Sequence, residues 1–233
     1  MKRVMTDWDR FWKNGVVIAW IVSLLSLVIS GRINLFIKKS YTFLPVVGML
    51  ILGLILIACF KRPRGKEKAE NPFVYLLLLV PLVFAWGINP ENLGEFAAVR
   101  KGLVTGGIEL DERAKEELLK RLEEVRAYQH LNLKEILSLE KLAGSEGLKV
   151  KTEGLAIEKG DGIKKYYLVR FRITCCAADA LPLAVEVQKP ENLTVPNNQW
   201  VEVWGTIHLR AEGFLLQAEK VFPVPKPQDL YLY

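Results

Sequence analysis

The chain has 233 residues, 51% of them hydrophobic, and a formal net charge of +6 that is unevenly placed: residues 1–70 carry +8 and the remainder −2. This excludes a basic nucleic-acid groove on the C-terminal half and puts the cationic excess beside the hydrophobic segments, where it sets membrane topology. The three cysteines, Cys59, Cys175 and Cys176, form no disulfide framework, so pairing says nothing about compartment, and Cys59 reads as a small buried hydrophobe in an apolar run.

Residues 1–14 mix Lys2, Arg3, Arg10 and Lys13 with Trp8, Phe11 and Trp12, a composition suited to the lipid headgroup layer. Residues 14–31 then run uncharged for eighteen positions, just enough at about 1.5 Å per residue to cross a hydrocarbon core of roughly 30 Å. A cleaved signal peptide, with Val28 and Ser30 before Gly31, is the rival reading. The length of the run and the two hydrophobic segments that follow argue against it. Residues 40–60 give twenty-one uncharged positions, the strongest spanning signal, with Pro45 in the first turns where a missing N–H matters little. Residues 61–68 follow with five Lys/Arg.

Residues 71–90 are uncharged again, kinked by Pro81 and ending near Trp86. The expectation is three transmembrane helices, about 15–31, 41–60 and 72–89, forming a domain over 1–90. The N-terminus and the 61–70 loop together hold nine Lys/Arg, against three in the 31–40 loop and two just past the third helix. The positive-inside rule then puts the N-terminus in the cytoplasm and the C-terminal domain outside it. No span contains Asp, Glu, Lys, Arg or His, so the chain has no transport pathway of its own.

Residues 91–110 read as a glycine-containing linker, and 111–143 as a helical arm. Asp111 caps a helix whose apolar stripe is Ala114, Leu118, Leu122 and Val125; Asn132 and Glu135 stand at capping-box spacing before Ile136 and Leu137. From Leu148 the period changes to two, and five short strands follow, with a bulge expected near Gly154 and a turn at 159–162. The fold class is therefore a membrane α-helical N-terminal part plus an α+β C-terminal domain whose residues 144–233 form a five-stranded barrel of the oligonucleotide/oligosaccharide-binding (OB) type.

The chemistry concentrates where the alternation of Tyr167, Val169, Phe171 and Ile173 runs into CCAADA. Carried through, that parity turns Cys175 inward and Cys176 outward. Three readings stand. Cys175, Cys176 and Asp179 are core and turn residues; or they bind a ligand, with Cys176 and Asp179 the first candidates to hold a divalent metal such as zinc; or Cys176 is a reactive thiol. Adjacent strand residues diverge, which weakens the metal reading. The histidines are His130 and His208, and His208 faces outward with Glu202 and Trp204, so Trp204 and His208 are read as partner surface. Tyr166, Trp200 and Trp204 are stacking candidates, but the near-neutral domain argues against nucleic acid. No nucleophile, base and orienting group assemble from neighbouring motifs, so no enzyme is expected.

The stretch RFRITCCAADALP, with WVEVWGTIHL, PVPKP, the closing YLY and, further upstream, LVPLVFAWGINPENLG, resembles an uncharacterised bacterial membrane-protein family described as the smaller subunit of a two-component permease. The resemblance implies a larger multi-pass permease partner in the bacterial cell membrane and an accessory role for this chain in transport. A membrane-tethered scaffold or envelope-interaction module without ligand chemistry is the alternative.

Overall fold

The computed structural model describes residues 7–61, 72–87, 101–124, 127–139, 146–158, 165–190, 195, 197–210, 213–227 and 229–233. The chain divides into two compact units, one of Met1–Glu91 with Cys175–Ala178 and one of Asn92–Thr174 with Asp179–Tyr233.

The first unit contains α1 (Asp7–Ile29), α2 (Phe43–Lys61) and α3 (Pro72–Gly87). Two helical stretches, Phe11–Ile29 and Lys39–Lys61, are long and apolar enough to cross a membrane. The third expected span is apolar but shorter: the 16 residues of α3 reach about 24 Å at 1.5 Å per residue. The rest of the expected segment, 88–90, lies outside the described residues. α1 packs against both α2 and α3. One indole from each helix ties α1 to α3: Trp20 Nε1 of α1 donates to the Leu78 carbonyl at 3.1 Å, and Trp86 Nε1 of α3 donates to Ser23 Oγ at 2.9 Å. α2 buries none of its side chains, so Leu50, Leu54 and Phe60 present an apolar surface that water would penalise and lipid or another apolar helix would cover.

The second unit is built on α4 (Glu112–Glu123), β1 (Gln129–His130), α5 (Leu133–Ser138), and the strands β2 (Lys149–Glu158), β3 (Lys165–Arg172), β4 (Leu181–Gln188), β5 (Gln199–Arg210), β6 (Gly213–Pro223) and β7 (Tyr231–Leu232). Both expected caps are present. Asp111 Oδ1 accepts from the Ala114 N–H at 2.7 Å, and Asn132 and Glu135 exchange reciprocal bonds in a capping box. The five long strands close a barrel: β2 pairs with β3, β3 with β4, β4 with β6, β6 with β5 and β5 with β2, antiparallel throughout except for parallel β4–β6. That is the strand order of the OB architecture. β1 and β7 extend the sheet at β2 and β3.

The barrel interior and α5 share one core. Leu133, Ile136 and Leu137 from the helix meet Val150, Leu168, Val185 and Ile207 from the strands, all at 0–1% exposure. Each such side chain contributes roughly 1.5–3 kcal/mol on burial. A second cluster, Leu155, Ile157, Val169 and Ala184, is packed by Leu103, Tyr167, Phe171 and Trp200. Residues 101–108, read as linker, are part of this domain. The Val104 N–H donates to the Pro182 carbonyl and the Ala184 N–H to the Val104 carbonyl, each at 2.9 Å, and Ile108 joins the main core.

The second cluster corrects two expectations. On β3 it is Tyr166 and Leu168 that join the main core, while Val169 belongs to the second cluster, so the expected parity is reversed. The slip in apolar alternation along β2 is no bulge. Its register with β5 is continuous from Lys149 to Ala156, and Leu155, Ala156 and Ile157 are all buried because Ala156 serves one cluster and its neighbours the other. Gly154 is instead a point of close approach: a Cβ there would lie 2.8 Å from Leu168 Cγ and 3.0 Å from the Val169 carbonyl oxygen.

The irregularity in the barrel falls at Trp204/Gly205 on β5, opposite Ala218 and Lys220 of β6. A Cβ at Gly205 would run into the Gln217 carbonyl oxygen and the adjacent backbone. Gly205→Ala is therefore expected to destabilise the barrel by about 1–3 kcal/mol or more, since backbone cannot yield as a flexible side chain can. Hydrogen exchange of β5 and β6 amides in the full chain checks it; unchanged protection would refute the close packing.

Candidate functional site: the cysteine corner

β3 ends at Arg172, two residues before the cysteines. The C-terminal tail defines that end. β7 runs parallel to β3 with Phe171 opposite Tyr231, and the Ile173 N–H donates to the Leu232 carbonyl at 3.1 Å. Arg170, its side chain 6% exposed, holds the tail in place. It donates to Glu153 Oε1 and to the Asp229 carbonyl, each at 2.7 Å, and stacks 5.1 Å from the Trp200 ring.

The chain then turns through a short 3-10 segment, Ala177–Asp179, into β4. Asp179 Oδ1 accepts from the Thr174 N–H at 3.0 Å, and Lys101 Nζ donates to the Ala180 carbonyl at 3.0 Å. Within the first unit Cys176 pairs with Ile37, in the connection between α1 and α2. There the Lys38 N–H donates to the Cys175 carbonyl at 3.0 Å and the Ala177 N–H to the Phe36 carbonyl at 2.8 Å. Backbone groups of the turn are thus engaged, which leaves side chains to carry any chemistry.

Those side chains sit otherwise than strand parity predicted. Cys175 is exposed and Cys176 half-buried, because the strand has already ended and the pleat no longer dictates direction. For the same reason the sulfurs converge: Cys175 Sγ lies 3.7 Å from Cys176 Sγ. With one carboxylate oxygen of Asp179 they form a group of ligand atoms all within 4.8 Å of one another. Two thiolates at about 2.3 Å from a tetrahedral zinc stand about 3.8 Å apart, so the sulfur spacing fits that ion with no large rearrangement. It does not suit a disulfide. Adjacent Cα atoms are about 3.8 Å apart, short of the 4.4–6.8 Å that unstrained disulfides need.

Trp204 and His208 lie on the outer face of β5. The Trp204 ring stands 5.1 Å from that of Tyr128 and 6.2 Å from that of Phe222, with Lys151 Nζ 4.9 Å over it, and its Nε1 donates to Glu202 Oε1 at 2.7 Å. The Tyr128 hydroxyl donates to Glu219 at 2.6 Å, which holds that carboxyl below its usual range and raises the phenol. His208 Nδ1 lies 2.9 Å from Glu146 Oε1, so the imidazole faces a carboxylate; Leu209 is exposed where β5 runs past the barrel core.

Residues 132–233 match the model of an uncharacterised family described as DUF1980 C-terminal domain, a match that begins at the N-cap of α5. No curated protein matches the chain. Among solved structures it is similar to OBody AM1L10 bound to hen egg-white lysozyme, at 15% identity over 36% of this chain and 84% of that chain, with a TM-score of 0.25. It is also similar to the second OB-fold domain of replication protein A from Methanococcus maripaludis, at 13% identity over 35% of this chain and 89% of that chain, with a TM-score of 0.22. The barrel assignment rests on the strand pairings and not on these likenesses.

Two predictions follow from this geometry. Arg170→Met removes the clamp on the tail and is expected to lose about 1.5–3 kcal/mol, the worth of hydrogen bonds to a charged group. It should also speed hydrogen exchange at Ile173, whose amide depends on Leu232; an unchanged Ile173 rate would show that the tail holds without the clamp. The Glu146 carboxyl is held low chiefly by the Leu209 N–H and then by His208. A depressed carboxyl stabilises the fold above its unfolded value and loses that contribution as pH falls through its folded value. Glu146→Ala should therefore flatten the fall in stability below about pH 4.5, read by acid titration of β5 amide protection; an unaltered acid limb would sink the assignment.

Proposed function

We propose that the chain is a membrane-anchored accessory subunit of a permease complex, presenting an extracytoplasmic OB-like domain whose cysteine corner binds a soft or borderline divalent cation, zinc being the type case. The observation that carries the ligand part is the 3.7 Å separation of the Cys175 and Cys176 sulfurs beside Asp179. Two sulfur ligands select against magnesium and calcium, which prefer oxygen. The anchor part is supported by the two membrane-length helices and the outward apolar surface of α2. The permease partner and the three-span topology come from the family resemblance and from the distribution of Lys and Arg; with α3 spanning, the domain lies outside the cytoplasm, and without it, inside.

The full chain, purified reduced in detergent and supplied with zinc, is expected to retain close to one equivalent by elemental analysis, and Cys175→Ser/Cys176→Ser to retain none while keeping its far-ultraviolet dichroism. Equal zinc in both would remove the ligand role. In intact cells, a membrane-impermeant maleimide should label the exposed Cys175; labelling only after lysis would reverse the proposed topology.

A second reading, a tethered interaction module without ligand chemistry, is favoured by the Trp204 cluster, where aromatic rings and the Lys149, Lys151 and Lys220 cations gather on one sheet face. It expects Trp204→Ala to abolish capture of the partner and the cysteine substitutions to leave capture intact.

A further inference from the structure

Among the described residues the cysteine corner brings together three ligands, one fewer than a structural zinc site uses. Structural zinc sites are closed by four protein ligands, whereas sites that act on or pass on what they bind keep three and leave one position open. Among the described residues Cys175, Cys176 and Asp179 form the only grouping of three or more metal-ligating side chains close enough to share an ion, and His130 and His208 are not in it. Two of its three members, Cys175 and Asp179, are exposed, so the ion would lie at the surface. The two ends of the turn are nonetheless held, at the Thr174 N–H by Asp179 Oδ1 and at the Ala180 carbonyl by Lys101 Nζ. Three ligands on a fixed turn, with one side open to the surroundings, suit rapid entry and exit of an ion.

Resting on the ligand reading given under Proposed function, we infer that Cys175, Cys176 and Asp179 form an open-faced exchange site for a tetrahedral cation of the zinc class, its fourth position held by a replaceable ligand. The ion is then handed on by ligand substitution. An incoming imidazole or thiolate from the acceptor displaces the replaceable ligand into solvent; further acceptor groups then displace the two thiolates, each of which takes a proton from water, and the Asp179 carboxylate. No oxidant or reductant is involved.

Cobalt(II) serves as the optical probe in the full chain, reduced and in detergent. Cobalt should bind with thiolate charge-transfer absorption and tetrahedral ligand-field bands, and imidazole added afterwards should shift those bands while the charge-transfer absorption persists. Cobalt bands that imidazole leaves unmoved would show a closed fourth position and overturn the exchange site while sparing the ligand reading. Absence of cobalt binding would overturn both. Cys175→Ser alone, at an exposed position with little packing to lose, should reduce the charge-transfer intensity about twofold, one of two equivalent sulfur ligands being removed. Asp179→Asn keeps the oxygen that caps Thr174 and should still weaken cobalt binding on the order of tenfold. Wild-type affinity in that variant would leave only two protein ligands and overturn the three-ligand site.

Discussion

Closure of the barrel turns on the crossing of β2 by β3 at Gly154. β2 pairs with β5 from Lys149 to Ala156 and with β3 from Leu155 to Glu158, so its middle is shared between two neighbours. Beside that overlap, a Cβ at Gly154 would lie 2.8 Å from Leu168 Cγ and 3.0 Å from the Val169 carbonyl oxygen. Any larger residue would push β3 away, open the seam between β2 and β3 and expose the interior that α5 caps. Because β3 is fixed there, its far end at Arg172 is fixed as well.

Features of local origin were legible in the sequence. The apolar runs, the Asp111 cap, the Asn132–Glu135 capping box and the five strands each depend on residues within a few positions of one another, and each appears where the pattern puts it. What the pattern misread has a single cause. Alternation reports direction only when one face of a strand is wet, and the middles of β2 and β3 are covered on both faces: by the main core inside and by Leu103, Phe171 and Trp200 outside. With both faces apolar, a shift of parity leaves no mark in composition, so Val169 and Leu168 could not be told apart. The same burial made Leu155–Ile157 look like a bulge.

The candidate site was legible as a list of residues and not as a geometry. CCAADA announces chemistry, but the convergence of its sulfurs depends on β3 stopping at Arg172, and that stop is set by pairings that no local pattern encodes. Tyr231 and Leu232 lie some sixty residues later in the chain. The bridging roles of Arg170 and Lys101 are equally silent, since a basic residue in a strand or before a glycine ordinarily reads as solvated surface. Only the alternating YLY gave a hint of the tail, and a three-residue strand without its partner is too short to count.

Adjacency of the two cysteines has opposite consequences for their two obvious fates. A pair spaced along the chain or across a sheet closes readily into a disulfide in an oxidising compartment and is then lost as a ligand. Neighbouring residues cannot reach unstrained disulfide geometry, yet once outside a strand they reach the sulfur spacing of a tetrahedral metal without difficulty. On the proposed topology this matters, because a dithiol beyond the cytoplasm persists best when it cannot close on itself. The uncharged runs 14–31, 40–60 and 71–90 carry no Asp, Glu, Lys, Arg or His. The proposed function therefore puts capture of an ion at the corner and leaves the path to a second protein.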